Sequence, residues 1–160
     1  MTNEELYLSV TLKAWKTNIE RADKAFFNLT PEQLPKEIAP GKNRLIYLWG
    51  HLTAVHDAML PLLGFGQRLH PEFDEPFLSN PDKALPNMPS AEKVRNAWDE
   101  VNRKLLDGFA ELRAADWLQK HAAVSEEDYA KDPLRNRFAI LLSRTNHLSY
   151  HLGQVFLVPA

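Results

Sequence analysis

Apolar residues recur at steps of three and four along most of this chain, and no segment alternates with period two long enough for a strand. Four stretches carry the helical pattern. The first opens at Thr2 or Asn3, with Glu4 and Glu5 at the positive end of the helix dipole. Leu6, Val10, Lys13/Ala14, Thr17, Ile19 and Ala22 to Phe26 follow, until Asn28-Leu29-Thr30-Pro31 stops it. The second starts near Asn43 or Arg44. Its seam is Leu45, Leu48, Leu52, Val55, Met59 and Leu62; Pro61 disturbs only its last turn, and Gly64-Phe65-Gly66 ends it. Ser90 caps the third, whose stripe is Val94, Ala97/Trp98, Val101, Leu105, Phe109 and Leu112. Ala115 to Leu118 adds a short turn, and residues 119–131 read as polar loop. Asp132-Pro133 signals the start of the last helix, which carries Leu134, Phe138, Leu141, Thr145, Leu148, Leu152 and Val155 to about Val158.

Four helices of this length predict an all-α four-helix bundle, one domain over residues 1–160. The proline-rich stretch from Gln67 to Pro89 is too long for an ordinary loop. A crossover of that length can run the height of a bundle, so that helices two and three are parallel. Phe73, Phe77 and Leu78 are placed to pin it to the surface.

The hydrophobic fraction of 44% and charged fraction of 25% are those of an ordinary globular chain. A net charge of −2 gives no reason to expect nucleic acid. No apolar run approaches the roughly 20 residues that span a bilayer, and the acidic start lacks a signal peptide's basic region, so the expected address is the cytoplasm. The absence of cysteine excludes thiolate ligands and a cysteine nucleophile. Trp15, Phe65, Phe77 and Trp117 fall outside the core seams and suit an interface or loop packing.

The candidate chemistry lies in histidines. His147 and His151 stand four apart on the last helix, where two imidazoles share a face and can donate to one metal ion. His51 projects into the inward arc of the second helix, while His147 and His151 flank their own helix's core, so a metal would be reached from a groove. The alternative is a core histidine bonded to a carbonyl and two flank residues. His56, five residues beyond His51, reads as a surface residue or a substitute ligand, and His70 and His121 as solvated loop residues. Tyr47 points with His51, as a hydrogen-bond donor near the metal or a core tyrosine; Gln154 stands ready to support a ligand or ends the helix in solvent. Three nitrogens leave a coordination position open, and such a site suits zinc, nickel or iron.

On Leu48-Trp49-Gly50-His51-Leu52 and on His147-Leu148-Ser149-Tyr150-His151-Leu152-Gly153-Gln154, and on the order and lengths of its helices, the chain resembles the DinB/YfiT family of bacterial four-helix bundles. The resemblance implies that His51, His147 and His151 are metal ligands, that helices two and three are parallel, and that the protein is a homodimer. It also implies a small-molecule substrate and a low-molecular-weight thiol, as in thiol-dependent S-transferases and isomerases. The competing reading is a non-catalytic bundle that binds a ligand or partner, its histidines vestigial or structural.

Overall fold

The computed structural model describes residues 1–158; the last two positions of the expected domain lie outside them. Helix α1 (Asn3–Phe27) opens with a reciprocal cap: the Glu5 amide donates to Thr2 Oγ1 at 3.2 Å and the Thr2 amide to Glu5 Oε2 at 2.7 Å. Its inward seam is Leu8, Leu12, Trp15, Ile19, Ala22 and Phe26. Leu6 and Val10, expected in that seam, are exposed instead. The sequence offers two apolar rows in the first turns, and the neighbouring helices cover the one that continues through Trp15.

The expected second helix is two, α2 (Leu45–Asp57) and α3 (Met59–Leu63), separated at Ala58. Proline explains the break. Pro61 has no N–H to give the Asp57 carbonyl one turn back, and its ring crowds that carbonyl. Gly64, at φ +83°, closes α3 in the left-handed conformation, and the Phe65 amide returns to the Leu60 carbonyl at 2.8 Å.

The crossover is not irregular throughout. It contains a 3-10 turn, Pro71–Phe73, and a π-helical turn, Glu75–Ser79. Phe73 and Phe77 are fully buried and hold it down, whereas Leu78 is exposed. Its entry is tied to the fully buried carboxylate of Asp57, which accepts from the Leu69 amide (2.8 Å), the His70 amide (3.0 Å) and Arg68 Nε (3.0 Å). Near its exit Asp82 accepts from the Arg44 amide at 2.7 Å and from its guanidinium at 2.6 Å.

Helix α4 (Ala91–Glu111) is capped by Ser90 as expected. His56 lies against Trp98 and Asn102, and Phe65 against Gly108 and Phe109, so α2 and α4 run in the same direction. After the short helix α5 (Ala114–Trp117), the stretch read as polar loop contains a further helix, α6 (Glu126–Lys131). Ser125 caps it and three acids fill its first turn.

The last helix, α7 (Arg137–Val155), starts five residues after Asp132 rather than beside it. Asp132 Oδ1 accepts from the Leu134 amide at 3.1 Å, a local turn in place of a helix cap. The Arg137 amide then bonds the Gln119 carbonyl and the His121 amide the Arg135 carbonyl, which draws residues 133–136 away from helical geometry. Asn136 is the cap, accepting from the Ala139 amide at 2.8 Å, and Leu134 is exposed.

The four long elements α1, α2–α3, α4 and α7 share one core, a four-helix bundle with the expected crossover. Among the described residues there is no strand, only two isolated bridges, and no helix is long and apolar enough to cross a membrane. Of the residues read as interface or loop packing, Trp15, Phe77 and Trp117 are core residues with 0–1% exposure, and Phe65 is partly buried against the core.

Candidate metal centre

His51 sits midway along α2, where the backbone is clamped to the crossover by Phe77. The Phe77 ring lies on Gly50, so close that a Cβ there would meet it at 2.2 Å. This approach brings the Phe77 carbonyl to 2.9 Å from His51 Nδ1, which therefore carries the proton. His51 Nε2 is left as a lone pair facing α7. On α7, His151 Nδ1 lies 2.7 Å from Gln154 Oε1, an acceptor, so its Nε2 is likewise bare. His147 stands between them, its Nε2 at 3.3 Å from His51 Nε2 and 3.1 Å from His151 Nε2.

One donor atom from each of the three rings lies within 4.8 Å of the others, and all three residues are partly buried. An ion at about 2.0–2.1 Å from each nitrogen sets neighbouring nitrogens about 2.9 Å apart in octahedral and about 3.3 Å apart in tetrahedral coordination. The two separations that involve His147, 3.3 and 3.1 Å, fall in that range, and the third pair lies within 4.8 Å. His51 and His151, protonated at Nδ1, both turn an Nε2 lone pair toward His147 Nε2, which has a proton for at most one of them, whereas a cation accepts from all three. The residues fit a metal ion. His147 Nδ1, buried without a partner, is the one ring position lacking an orienting bond; the ring is held by packing against the other two, at centroid distances of 5.2 and 4.6 Å.

Burial pushes all three imidazoles below their ordinary value. For His51 the Phe77 carbonyl opposes the effect and the Arg144 charge adds to it. For His151 burial is opposed by Gln154. His147 is lowered to about 4, by burial first and then by its two neighbours and Arg144. The rings are therefore neutral at pH 7, the form that donates to a metal.

The other histidines are placed differently from expectation. His56 is neither on the surface nor with the trio. It is fully buried between Trp15 and Trp98, at centroid distances of 4.8 and 5.1 Å. Asn102 Nδ2 donates to the Trp98 carbonyl, so Asn102 Oδ1 accepts from His56 Nδ1 at 2.8 Å. His70 is not solvated but partly buried, 3.1 Å from Glu100 and 3.5 Å from Glu72. His121 is partly buried too, with a buried Nδ1. Tyr47 is the core tyrosine of the two readings: its ring lies parallel to that of His51 at a centroid distance of 6.3 Å, but its hydroxyl donates to the Asn80 carbonyl at 2.8 Å and anchors the crossover.

Burial lowers His56 from the ordinary 6.5 to about 3. Between those values the unfolded chain binds a proton that the folded chain refuses, so stability falls as pH falls. From pH 7 to pH 5 His56 alone is expected to remove about 2 kcal/mol. Urea unfolding of chelated protein at the two pH values, in wild type and His56→Phe, checks this. The variant's pH-dependent loss should be smaller by about that amount, and an equal loss in both proteins refutes it.

Three features of the site escaped the sequence reading: the Phe77 carbonyl, the glycine that lets it approach, and Arg144. An interior Gly50 beside a histidine, and an arginine one turn before His147, were the available signals. A cavity of about 190 Å³ between α1, α5 and α7 is apolar, lined by Tyr7, Leu8, Trp117, Leu118 and Phe138, and contains none of the three histidines.

Fold and site together define a helical bundle whose facing helices bring three imidazoles to one point, a geometry able to hold a metal ion. The chain belongs to the DinB superfamily, whose sequence profile matches residues 14–155. No curated protein matches it significantly.

Proposed function

We propose that the chain is a single-domain metal-dependent enzyme in which His51, His147 and His151 hold a divalent ion (zinc, nickel or iron), and that it transfers a small thiol to an electrophile. The observation that carries this reading is the convergence of three Nε2 atoms, two of them on rings protonated at Nδ1. Three protein nitrogens leave a position open for a ligand. When bound, such an ion supplies Lewis acidity, which lowers the pKa of a thiol or a water. The Phe77 carbonyl and Gln154 hold two of the rings in the donating tautomer. Neither His51 nor His151 serves as general base, since each Nδ1 already carries a proton and each Nε2 would be taken up by the ion, so the thiol proton goes to solvent.

A cytoplasmic address and a homodimer belong to the same reading. Support for the dimer now comes from Leu6 and Val10 on α1 and Leu142 and Tyr150 on α7, which are exposed.

The test uses 1-chloro-2,4-dinitrobenzene and cysteine as probes. The sulfur–carbon bond forms, the carbon–chlorine bond breaks, chloride leaves and the thiol proton passes to buffer. Thioether formation should be accelerated by protein loaded with zinc, nickel or iron(II), and lost on chelation and in His51→Ala. An acceleration unchanged by both treatments, or none with any metal, overturns the proposal.

A further inference from the structure

Arg144 precedes His147 by one turn of α7 and His151 by two. Three residues of helix advance about 4.5 Å and turn to within about 60° of the same direction; seven residues return to within about 20°. Arg144, His147 and His151 therefore line one stripe of the helix. His147 faces α2, its Nε2 3.3 Å from His51 Nε2, so the arginine one turn before it on the same stripe also lies on the side of α7 toward α2.

Arg144 is partly buried, and its Nε is buried with no hydrogen-bond partner among the described residues. Arg44 is matched by Asp82, Arg68 by Asp57 and Asp74, and Arg113 by Asp116, whereas Arg137, whose Nε is likewise buried without a partner, gives one N–H to the Asp116 carbonyl. Arg144 has no ion pair among the described residues. Leaving a buried charged donor unmatched is costly. Among the described residues no carboxylate belongs to the histidine cluster. Neutral imidazoles cancel none of an ion's charge, so a divalent cation beside Arg144 makes a strongly positive site.

We infer that Arg144 is the anion-recognising residue of this site, and that the molecule taken there carries a carboxylate a few bonds from its reacting atom. A guanidinium offers paired N–H groups in the plane a carboxylate requires. Arg144 sets which ligand is accepted and takes no part in holding the metal. This rests on the metal-centre reading above.

The experiment uses cobalt(II) as the bound ion and two thiols of matched length, 3-mercaptopropionate and 3-mercapto-1-propanol. Cobalt uptake and thiol affinity are both read from the visible absorption of the ion. Wild type should prefer the carboxylate thiol by at least about tenfold, the effect of one charge-assisted pair. In Arg144→Met the preference should fall by about tenfold, and in Arg144→Lys less, since the charge remains but the planar fork is lost. Both variants should still bind cobalt, Arg144→Met at least as tightly as wild type because a neighbouring positive charge is gone. Protein that takes up no cobalt overturns the metal centre itself. Cobalt-loaded wild type that binds both thiols equally, or an undiminished preference in Arg144→Met, overturns the role of Arg144 alone.

Discussion

Replacing His147 by alanine is expected to abolish the rise in melting temperature that zinc produces in the wild type. A ligand at 100 times its dissociation constant adds about 2.7 kcal/mol to the native state. For a chain of this length that is roughly 5–10 °C. His147 is the central ring, with its Nε2 near both others, so its loss leaves two nitrogens on different helices. The affinity should drop by at least about 100-fold, beyond what loss of a supporting residue costs. At the same zinc concentration the variant should then show a shift near zero. Without metal the sign reverses. His147 is held near 4 by burial and by two crowding imidazoles, so the unfolded chain gains a proton that the folded one resists as pH falls below 6.5. Metal-free His147→Ala should therefore lose less stability than wild type between pH 7 and pH 5. A purely structural histidine predicts no zinc response in either protein; differential scanning with and without chelator separates the two cases.

Gly50→Ala is expected to destabilise the protein by about 2 kcal/mol or more and to weaken zinc binding about tenfold. In an ordinary helix interior this change stabilises by about 1 kcal/mol. Here the added carbon would lie 2.2 Å from Cε1 and Cζ of Phe77, a fully buried ring that packs against Phe73 and Tyr47. The ring must move, and the Phe77 carbonyl that orients His51 moves with it. Gly153 provides the contrast. A Cβ there meets nothing within 4 Å, so Gly153→Ala should follow the ordinary rule and stabilise, although it stands between His151 and Gln154. Urea unfolding measures both. If both glycines respond alike, the close approach of the crossover to α2 is not what holds His51.

The bundle and its histidines were legible for a physical reason. Helical seams repeat along the chain, so Leu45, Leu48 and Leu52, or Leu141, Leu148 and Leu152, announce their buried faces locally. The i, i+4 spacing of His147 and His151 is likewise a local property of one helix, and so is the reach of Gln154 back to His151. Proline and cap signals were less reliable. Asp132-Pro133 has the form of a helix start, but pairing of residues 119–121 with 135–137 overrode it. Ser125 and the acids after it formed a real cap inside a stretch whose polarity suggested loop.

By itself, then, the chain's periodicity determined four long helical stretches, the parallel pair that a long crossover permits, and the faces that His51, His147 and His151 occupy, though not that of His56. Only the tertiary structure decided which of two apolar rows on α1 is covered, that Trp15 and Trp98 enclose His56, and that the crossover lends its Phe77 carbonyl to His51. Periodicity is set by near neighbours along a single helix, whereas these contacts join residues far apart in the chain, and their geometry depends on how the elements pack.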